Sequence, residues 1–183
     1  NEKYARQYLD VVGQAAATGQ AAFAESVARG LYKLMAYKDE YEVARLHLED
    51  AARIEVENAV GSNVKVFWNF HPPVLRAMGM KNKIALGPWA KPMLGTLRAS
   101  RGLRGTWADP FGHAKVRKVE RALIDEYVGL VSAVAKKVDG SNASAAVELA
   151  ALPDLVRGYE DIKLANVERY HSEMARLRSN LNI

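Results

Sequence analysis

Apolar residues recur at helical spacing in the first third of the chain. Tyr4, Tyr8, Val11 and Ala15 are three or four residues apart, and Gly19 follows them. This spacing places the apolar side chains on one face of a helix, and a glycine commonly marks the end of one. Two further helices are predicted by the stripes Phe23, Val27, Leu31 and Leu34 and, between Asp39 and Gly61, Tyr41, Ala44, Leu48, Ala51 and Ala52.

The second half of the chain has two long apolar stripes. A short helix between them ends before Pro153, because proline disfavours helical backbone in the residue before it. The last stripe alternates three and four residues, so we expect it to pack on a neighbouring helix, in the chain or in a second copy of a homodimer. The two stripes are Val116, Val119, Leu123, Tyr127, Val131, Val134 and Val138, and Val167, Tyr170, Met174, Leu177 and Leu181.

The middle of the chain is different. Residues 64–70 partly alternate and are rich in aromatic and β-branched residues, which predicts a short strand, and residues 83–86 could pair with it. From Gly87 to Gly112 glycine and proline are frequent, around one short helix near residues 93–99. We therefore predict a mainly α fold, a single bundle-like domain over residues 1–183 with an irregular middle and at most a small β-hairpin.

Composition narrows the class of protein. The 183 residues are 49% hydrophobic and 26% charged, which is typical of a globular chain with a core. No apolar run is long enough to span a bilayer and no secretory start is visible, so we expect a soluble, cytoplasmic protein without membrane partners. Cysteine is absent, which excludes disulfides and Cys-ligated clusters in this segment.

No catalytic constellation stands out in the sequence. There is no Gly-x-Gly-x-x-Gly after a strand and no phosphate-binding Gly-Lys-Ser/Thr loop. The four histidines are far apart, without metal-ligand spacing to a carboxylate, so we predict no metal site. Asp39, Glu40 and Glu42 lie near cations on a helix, which is typical of a solvated face with an acidic N-terminus.

Basic side chains gather between residues 98 and 121, and the net charge is +5. Positive charge in the first turns of a helix opposes its dipole, although a helix capped by Asp109 with Pro110 as its first residue would reduce this cost. We hypothesise that these residues bind an anion or an acidic partner; the alternative for the Arg101–Arg104 loop is a tight turn with solvated or salt-bridged arginines. The candidates are Arg98, Arg101, Arg104, His113, Lys115, Arg117, Lys118 and Arg121.

Three stretches resemble the C-terminal domain of fused indolepyruvate:ferredoxin oxidoreductases. The most specific is Leu31–Leu46 (LYKLMAYKDEYEVARL). The second is Leu103–Gly112 (LRGTWADPFG) with the basic helix after it, and the third is Leu152–Tyr159 (LPDLVRGY) followed by Lys163 and Asn166. The resemblance covers most of the chain, and it implies that the chain is a terminal fragment of a larger multidomain enzyme.

Enzymes of this family oxidatively decarboxylate aryl 2-oxoacids to acyl-CoA. The resemblance implies that thiamine diphosphate, Mg²⁺ and [4Fe–4S] clusters do this chemistry in other domains, since cofactors carry the difficult steps. It implies no cofactor and no catalytic residue in this segment. Its expected partners are the other domains of the same enzyme, with CoA or ferredoxin as alternative ligands of the basic residues.

Two other functions compete with an accessory domain. A freestanding basic module could bind nucleic acid or another polyanion, because Trp89 and Trp107 near the basic residues would permit stacking. An independent small enzyme is disfavoured, because no nucleophile, base and orienting group form a coherent set.

Overall fold

A computed structural model describes residues 2–61, 65–70, 79, 82, 84–158 and 160–181. Over these residues the chain forms eight α-helices and one pair of antiparallel strands, with 3₁₀ turns at Pro88–Ala90, Ser100–Leu103 and Leu152–Leu155. The mainly α fold with a small hairpin is confirmed. In chain order the elements are α1 Glu2–Ala16, α2 Ala21–Met35, α3 Glu40–His47, α4 Asp50–Val60, β1 Trp68–Phe70, β2 Ile84–Leu86, α5 Lys91–Ala99, α6 Lys115–Ala135, α7 Ala143–Ala150 and α8 Glu160–Leu181.

The contacts divide the chain into two compact units. The terminal unit consists of Asn1–Tyr37 and Lys115–Ile183, and the central unit is Lys38–Ala114. The single domain predicted over residues 1–183 stays a prediction, because a compact unit need not fold independently. In the described part of the chain, no helix combines the length and the apolar character needed to cross a membrane.

The terminal unit packs α1, α2, α6, α7 and α8 around one apolar core. The predicted stripes supply most of this core, including the fully buried Phe23, Leu31 and Leu177. Gly30 on α2 permits a close approach, because a Cβ there would lie 2.6 Å from the Tyr127 hydroxyl and 2.8 Å from the Ala150 carbonyl oxygen. The Tyr127 hydroxyl donates to the Ala150 carbonyl oxygen at 2.6 Å. Because glycine has no side chain, α2 can pack closely against α6 and α7 at this hydrogen bond.

The central unit has a much smaller apolar core. Within it, β1 pairs with β2 so that Trp68 lies opposite Leu86, and both side chains are buried. The other buried members of this core are Ala44, Ala90 and Leu94. The predicted strand over 64–70 is thus a shorter one, while Ser62, Asn63, His71 and Lys83 lie outside the described residues.

The helix predicted between Asp39 and Gly61 is two helices. The Leu48 N–H donates to Arg45 and Leu46, which ends α3, and Glu49 is extended before α4 begins. Leu48 packs on the central core, whereas Ile54 on α4 is exposed. The apolar spacing therefore continues across a turn between two helices, and its two halves do not face the same core.

Candidate functional site

A buried carboxylate lines a cleft in the terminal unit. Glu120 on α6 is 4% exposed, and its two oxygens accept from Arg117 Nη1 at 2.6 Å and from Lys163 Nζ on α8. The Arg117 guanidinium also lies 5.9 Å from the centroid of the Tyr37 ring. A buried charge is tolerated only when it is paired and hydrogen-bonded, which both cations accomplish here.

The cleft is small and mostly apolar. Beyond Glu120 and Lys163 it is lined by Lys33, Leu34, Tyr37, Leu123 and Val156. Lys33 Nζ donates to Asp154 at 2.9 Å, and this hydrogen bond lowers the pKa of the Asp154 carboxyl. The cations lining this cleft thus have carboxylate partners already, so the arrangement suits a structural ion cluster better than proton transfer or nucleophilic attack.

A second buried carboxylate organises the loop before α6 in the central unit. Asp109, which is 3% exposed, accepts from the Tyr41 hydroxyl at 3.0 Å, from Gly105 N at 2.8 Å and from Phe111 N at 3.1 Å. Gly105 has φ +74°, a conformation that favours glycine. Gly112 is also required, because a Cβ there would lie 2.5 Å from an Asp109 carboxylate oxygen.

Electrostatics in this network hold Tyr41 neutral and Asp109 ionised. Burial and then the Asp109 carboxylate raise the pKa of Tyr41 to about 12. Burial also raises the pKa of Asp109, but hydrogen bonds from Gly105, Tyr41 and Phe111 outweigh it and leave that pKa below its usual value. Hydrogen bonds to the charged form stabilise it, which explains the direction.

Asp39 ties the same loop to α3. Its side chain caps the helix by accepting from Glu42 N at 2.9 Å, and it receives Arg104 Nε at 2.5 Å and Nη2 at 2.8 Å. The Arg104 guanidinium lies 5.9 Å from the centroid of the Tyr41 ring. For Asp39 the prediction of a solvated face is wrong, because this fork pairs with a carboxylate that is only 3% exposed.

The helix start proposed at Asp109 is also wrong. The helix begins at Lys115, because the Asp109 carboxylate accepts from the loop amides of Gly105 and Phe111 instead of capping a helix. Within the Arg101–Arg104 loop, Arg104 forms a salt bridge with Asp39 and Arg101 is exposed, and anion binding by this loop stays a prediction.

The loop that these two carboxylates hold in place is called here the Trp107 loop, residues 103–113. Its Trp107 side chain is 90% exposed and its Leu103 side chain 41%. Leu103 O accepts from Thr106 N at 2.9 Å, and His113 Nε2 lies 3.3 Å from the Trp107 carbonyl oxygen. A well-anchored loop therefore displays a large aromatic side chain to solvent.

A second exposed aromatic surface lies in the same unit. A Cβ on Gly87 would lie within 3.3 Å of ring atoms of both Phe67 and Trp89, so both rings lie close to this glycine. Both are exposed, as is Met93, which follows Trp89 by four residues. Contiguous exposed apolar side chains of this size often mark interaction sites.

Charge in this part of the chain has one sign. Residues 58–108 contain no aspartate or glutamate, whereas the shorter segment 39–57 holds seven of them. The acid-free segment carries the cations Lys65, Arg76, Lys81, Lys83, Lys91, Arg98, Arg101 and Arg104. Any partner that covers the exposed aromatic side chains of this segment will therefore be favoured if it is acidic.

Comparison with known proteins identifies one family. Residues 1–176 match a family described as "Family of unknown function (DUF6537)". The chain belongs to this family. No curated protein and no solved structure matches the chain at a significant level.

The eight basic residues predicted as a binding site are divided between the units of this DUF6537 chain. Arg98, Arg101, Arg104 and His113 lie in the central unit, and Lys115, Arg117, Lys118 and Arg121 lie in the terminal unit. Arg104 and Arg117 bind buried carboxylates, whereas the side chains of Arg98, Arg101, His113, Lys115 and Lys118 are exposed. A shared anion site stays a prediction. Among the described residues, no three His, Asp or Glu side chains are grouped to hold a metal ion.

The buried polar pairs were not predicted from the sequence, although the position of Glu120 gave a detectable signal for one of them. Glu120 lies three residues before Leu123 and seven before Tyr127, both buried, so an acid occupies the apolar face of α6. An acid at such a position indicates a cation from another element. Nothing local indicates that Lys163, 43 residues away, would provide it.

Proposed function

We propose that this chain is the accessory C-terminal domain of an indolepyruvate (aryl 2-oxoacid):ferredoxin oxidoreductase. In this role the domain packs on the catalytic domains and performs no chemistry of its own. Thiamine diphosphate, Mg²⁺ and the [4Fe–4S] clusters act in the rest of the enzyme, where they decarboxylate the 2-oxoacid and remove its electrons.

One observation supports this proposal most strongly. The stretches that resemble the oxidoreductase domain meet in the two buried polar networks. Leu31–Leu46 contributes Lys33 and Tyr37 to the cleft, and it contributes Asp39 and Tyr41 to the anchor of the Trp107 loop. Leu103–Gly112 contributes both partners of that anchor, Arg104 and Asp109. Residues that define such networks specify a fold and its surface, as expected of a scaffold domain.

The third stretch joins the cleft as well. Val156 lines it, and Lys163, which follows the stretch, binds Glu120. Asn166 donates its side-chain N–H to the Arg157 carbonyl oxygen at 3.0 Å, which fixes the end of this stretch on α8. These contacts are again structural, so the resemblance concerns residues that shape the domain.

The proposal is tested by recombining the chain with an enzyme that lacks this region. An indolepyruvate:ferredoxin oxidoreductase with its corresponding C-terminal domain deleted is mixed with the purified chain, and association is measured by sedimentation velocity. We expect a complex at micromolar concentration or below, and restored indolepyruvate-dependent reduction of a dye. The chain alone should show no turnover. Absence of a complex at all concentrations contradicts the proposal.

A titration with coenzyme A and with oxidised and reduced ferredoxin separates the two ligands proposed for the basic residues. Binding is measured at low and moderate salt with the wild-type chain and with R98A/R101A and K115A/K118A. These exposed side chains can be removed without breaking the Asp39 and Glu120 networks, which makes them better probes than Arg104 and Arg117. Weaker binding in one variant locates the ligand on that unit.

A second candidate function is polyanion binding, which the acid-free segment with its exposed tryptophans favours. Binding of this kind depends steeply on salt, because phosphate contacts release counterions. Micromolar binding of single-stranded DNA or RNA that weakens by orders of magnitude between 50 and 200 mM salt, together with no association with the truncated oxidoreductase, would favour this function instead.

A further inference from the structure

We propose that the Trp107 loop is the docking hot spot of this domain, and that its partner is an acidic protein surface with an apolar socket for the Trp107 ring. The inference rests on the proposed function, which identifies that partner as the catalytic part of the oxidoreductase. It goes beyond that function by assigning the contact to one loop and one side chain.

Trp107 is exposed on a loop whose conformation is held by buried carboxylates. This combination suits the side chain to binding a partner. Asp109 accepts hydrogen bonds from Tyr41 and from the backbone of Gly105 and Phe111, and Asp39 binds Arg104 through two nitrogens at the start of the loop. Ordering a loop on binding costs conformational entropy, and a loop already fixed in the free protein avoids most of that cost. The anchor thus prepares an exposed indole for contact.

Composition favours a protein over a nucleic acid as the partner. Leu103, beside Trp107 in the same turn, is an aliphatic side chain that suits an apolar socket and offers no ring for stacking on a base. Residues 84–108 contain three arginines, one lysine, two tryptophans and no acid. Protein interfaces are enriched in tryptophan and arginine and poor in lysine and acids, and their hot spots are most often tryptophan, tyrosine or arginine.

The positive charge beside the Trp107 loop indicates that the partner surface is acidic. Arg98 and Arg101 precede the loop and are exposed, and residues 58–108 contain no aspartate or glutamate. Interfaces place opposite potentials against each other, which speeds association and excludes wrong partners. An acidic rim around an apolar socket is therefore the complementary surface.

The test measures the affinity of Trp107→Ala for the truncated oxidoreductase. A central tryptophan typically costs 2 kcal/mol or more on truncation, so we expect the Kd to rise by about 30-fold or more. The matched control is Tyr32→Ala, an aromatic side chain in the terminal unit that is 65% exposed, and its Kd should stay within about twofold of wild type. Both variants should unfold at the wild-type temperature.

Charge reversal gives a second measurement on the same surface. R98E/R101E should weaken binding by about tenfold at low salt and by less as salt rises, because exposed charges are screened. A Trp107→Ala chain that binds as tightly as wild type overturns this inference and leaves the proposed function intact. A wild-type chain that does not associate contradicts both. If oligo-dT quenches the fluorescence of Trp107 and no protein associates, the inferred acidic protein partner is wrong and a nucleic acid is the partner instead.

Discussion

The two units of this chain are stabilised in different ways. The terminal unit buries apolar side chains from five helices in one core, and its buried ions form a cluster beside that core. Among the described residues of the central unit, five buried side chains form the apolar core, and Asp39 and Asp109 fix a loop. Most of the large exposed apolar side chains in the described part of the chain also lie in the central unit.

The comparison shows how a unit with a small apolar core can hold a surface loop in one conformation. Small units bury a low fraction of their apolar surface and gain little stability from it. In the central unit, hydrogen-bonded carboxylates define the geometry of a loop whose Trp107 side chain is exposed.

The largest effect should come from Gly30→Ala in the terminal unit. The added methyl group would overlap the Tyr127 hydroxyl and the Ala150 carbonyl oxygen and break the hydrogen bond between them. We expect a loss of about 4 kcal/mol in the free energy of unfolding. Chemical denaturation measures it. The control is Gly13→Ala on α1, where a Cβ meets no atom within 4 Å, and this variant should gain about 0.5–1 kcal/mol.

Glu120→Gln should be the next most damaging change. It leaves Arg117 and Lys163, whose side chains are 17% exposed, without their carboxylate. Breaking a buried pair from one side leaves uncompensated charge, so we expect a loss of about 3 kcal/mol. Glu148→Gln removes the acid of an exposed pair with Arg176 and should not change stability measurably. Equal losses in both variants would show that burial does not matter here.

In the central unit, Tyr41→Phe tests the anchor of the Trp107 loop. Asp109 keeps its backbone donors but loses the Tyr41 hydroxyl, which should cost about 2 kcal/mol. Amide exchange in residues 103–113 should accelerate in this variant, while exchange in α6 to α8 stays slow. Wild-type protection of the loop in Tyr41→Phe would contradict the anchoring role.

The same variant gives a pH signature. The pKa of Tyr41 is raised from 10.0 to about 12 in the folded protein, so the native state holds this proton more tightly than the unfolded one. Its contribution to stability is complete below pH 10 and is lost as pH rises towards 12. Stability measured from pH 8 to 12 should therefore fall less steeply in Tyr41→Phe than in wild type.

The smallest effect on folding is expected for Trp107→Ala. Its side chain is 90% exposed, so its removal should change the free energy of unfolding by less than about 0.5 kcal/mol. Thermal unfolding measures this. A large loss of stability would mean that the ring contributes to the fold, and it would remove the distinction between anchor and exposed aromatic surface.

The sequence predicted the helices of the terminal unit well, because their stripes face one core. Tyr127, Val131 and Val134 on α6 are buried as their spacing indicates. The helix prediction failed at Leu48 and Glu49, where the apolar spacing continues across a turn. The site was harder to predict, because its contacts join residues such as Asp39 and Arg104, which are 65 positions apart. Local charge patterns suggested solvated residues at Asp39, and only tertiary structure shows it buried.

Hydrogen exchange on the complex tests the central claim most directly. Amide exchange of the chain is compared, peptide by peptide, free and bound to the truncated oxidoreductase. We expect slower exchange on binding in residues 98–113 of the central unit, and unchanged exchange in α1, α2 and α8. Protection confined to those helices, with the Trp107 loop exchanging as in the free chain, would contradict the account.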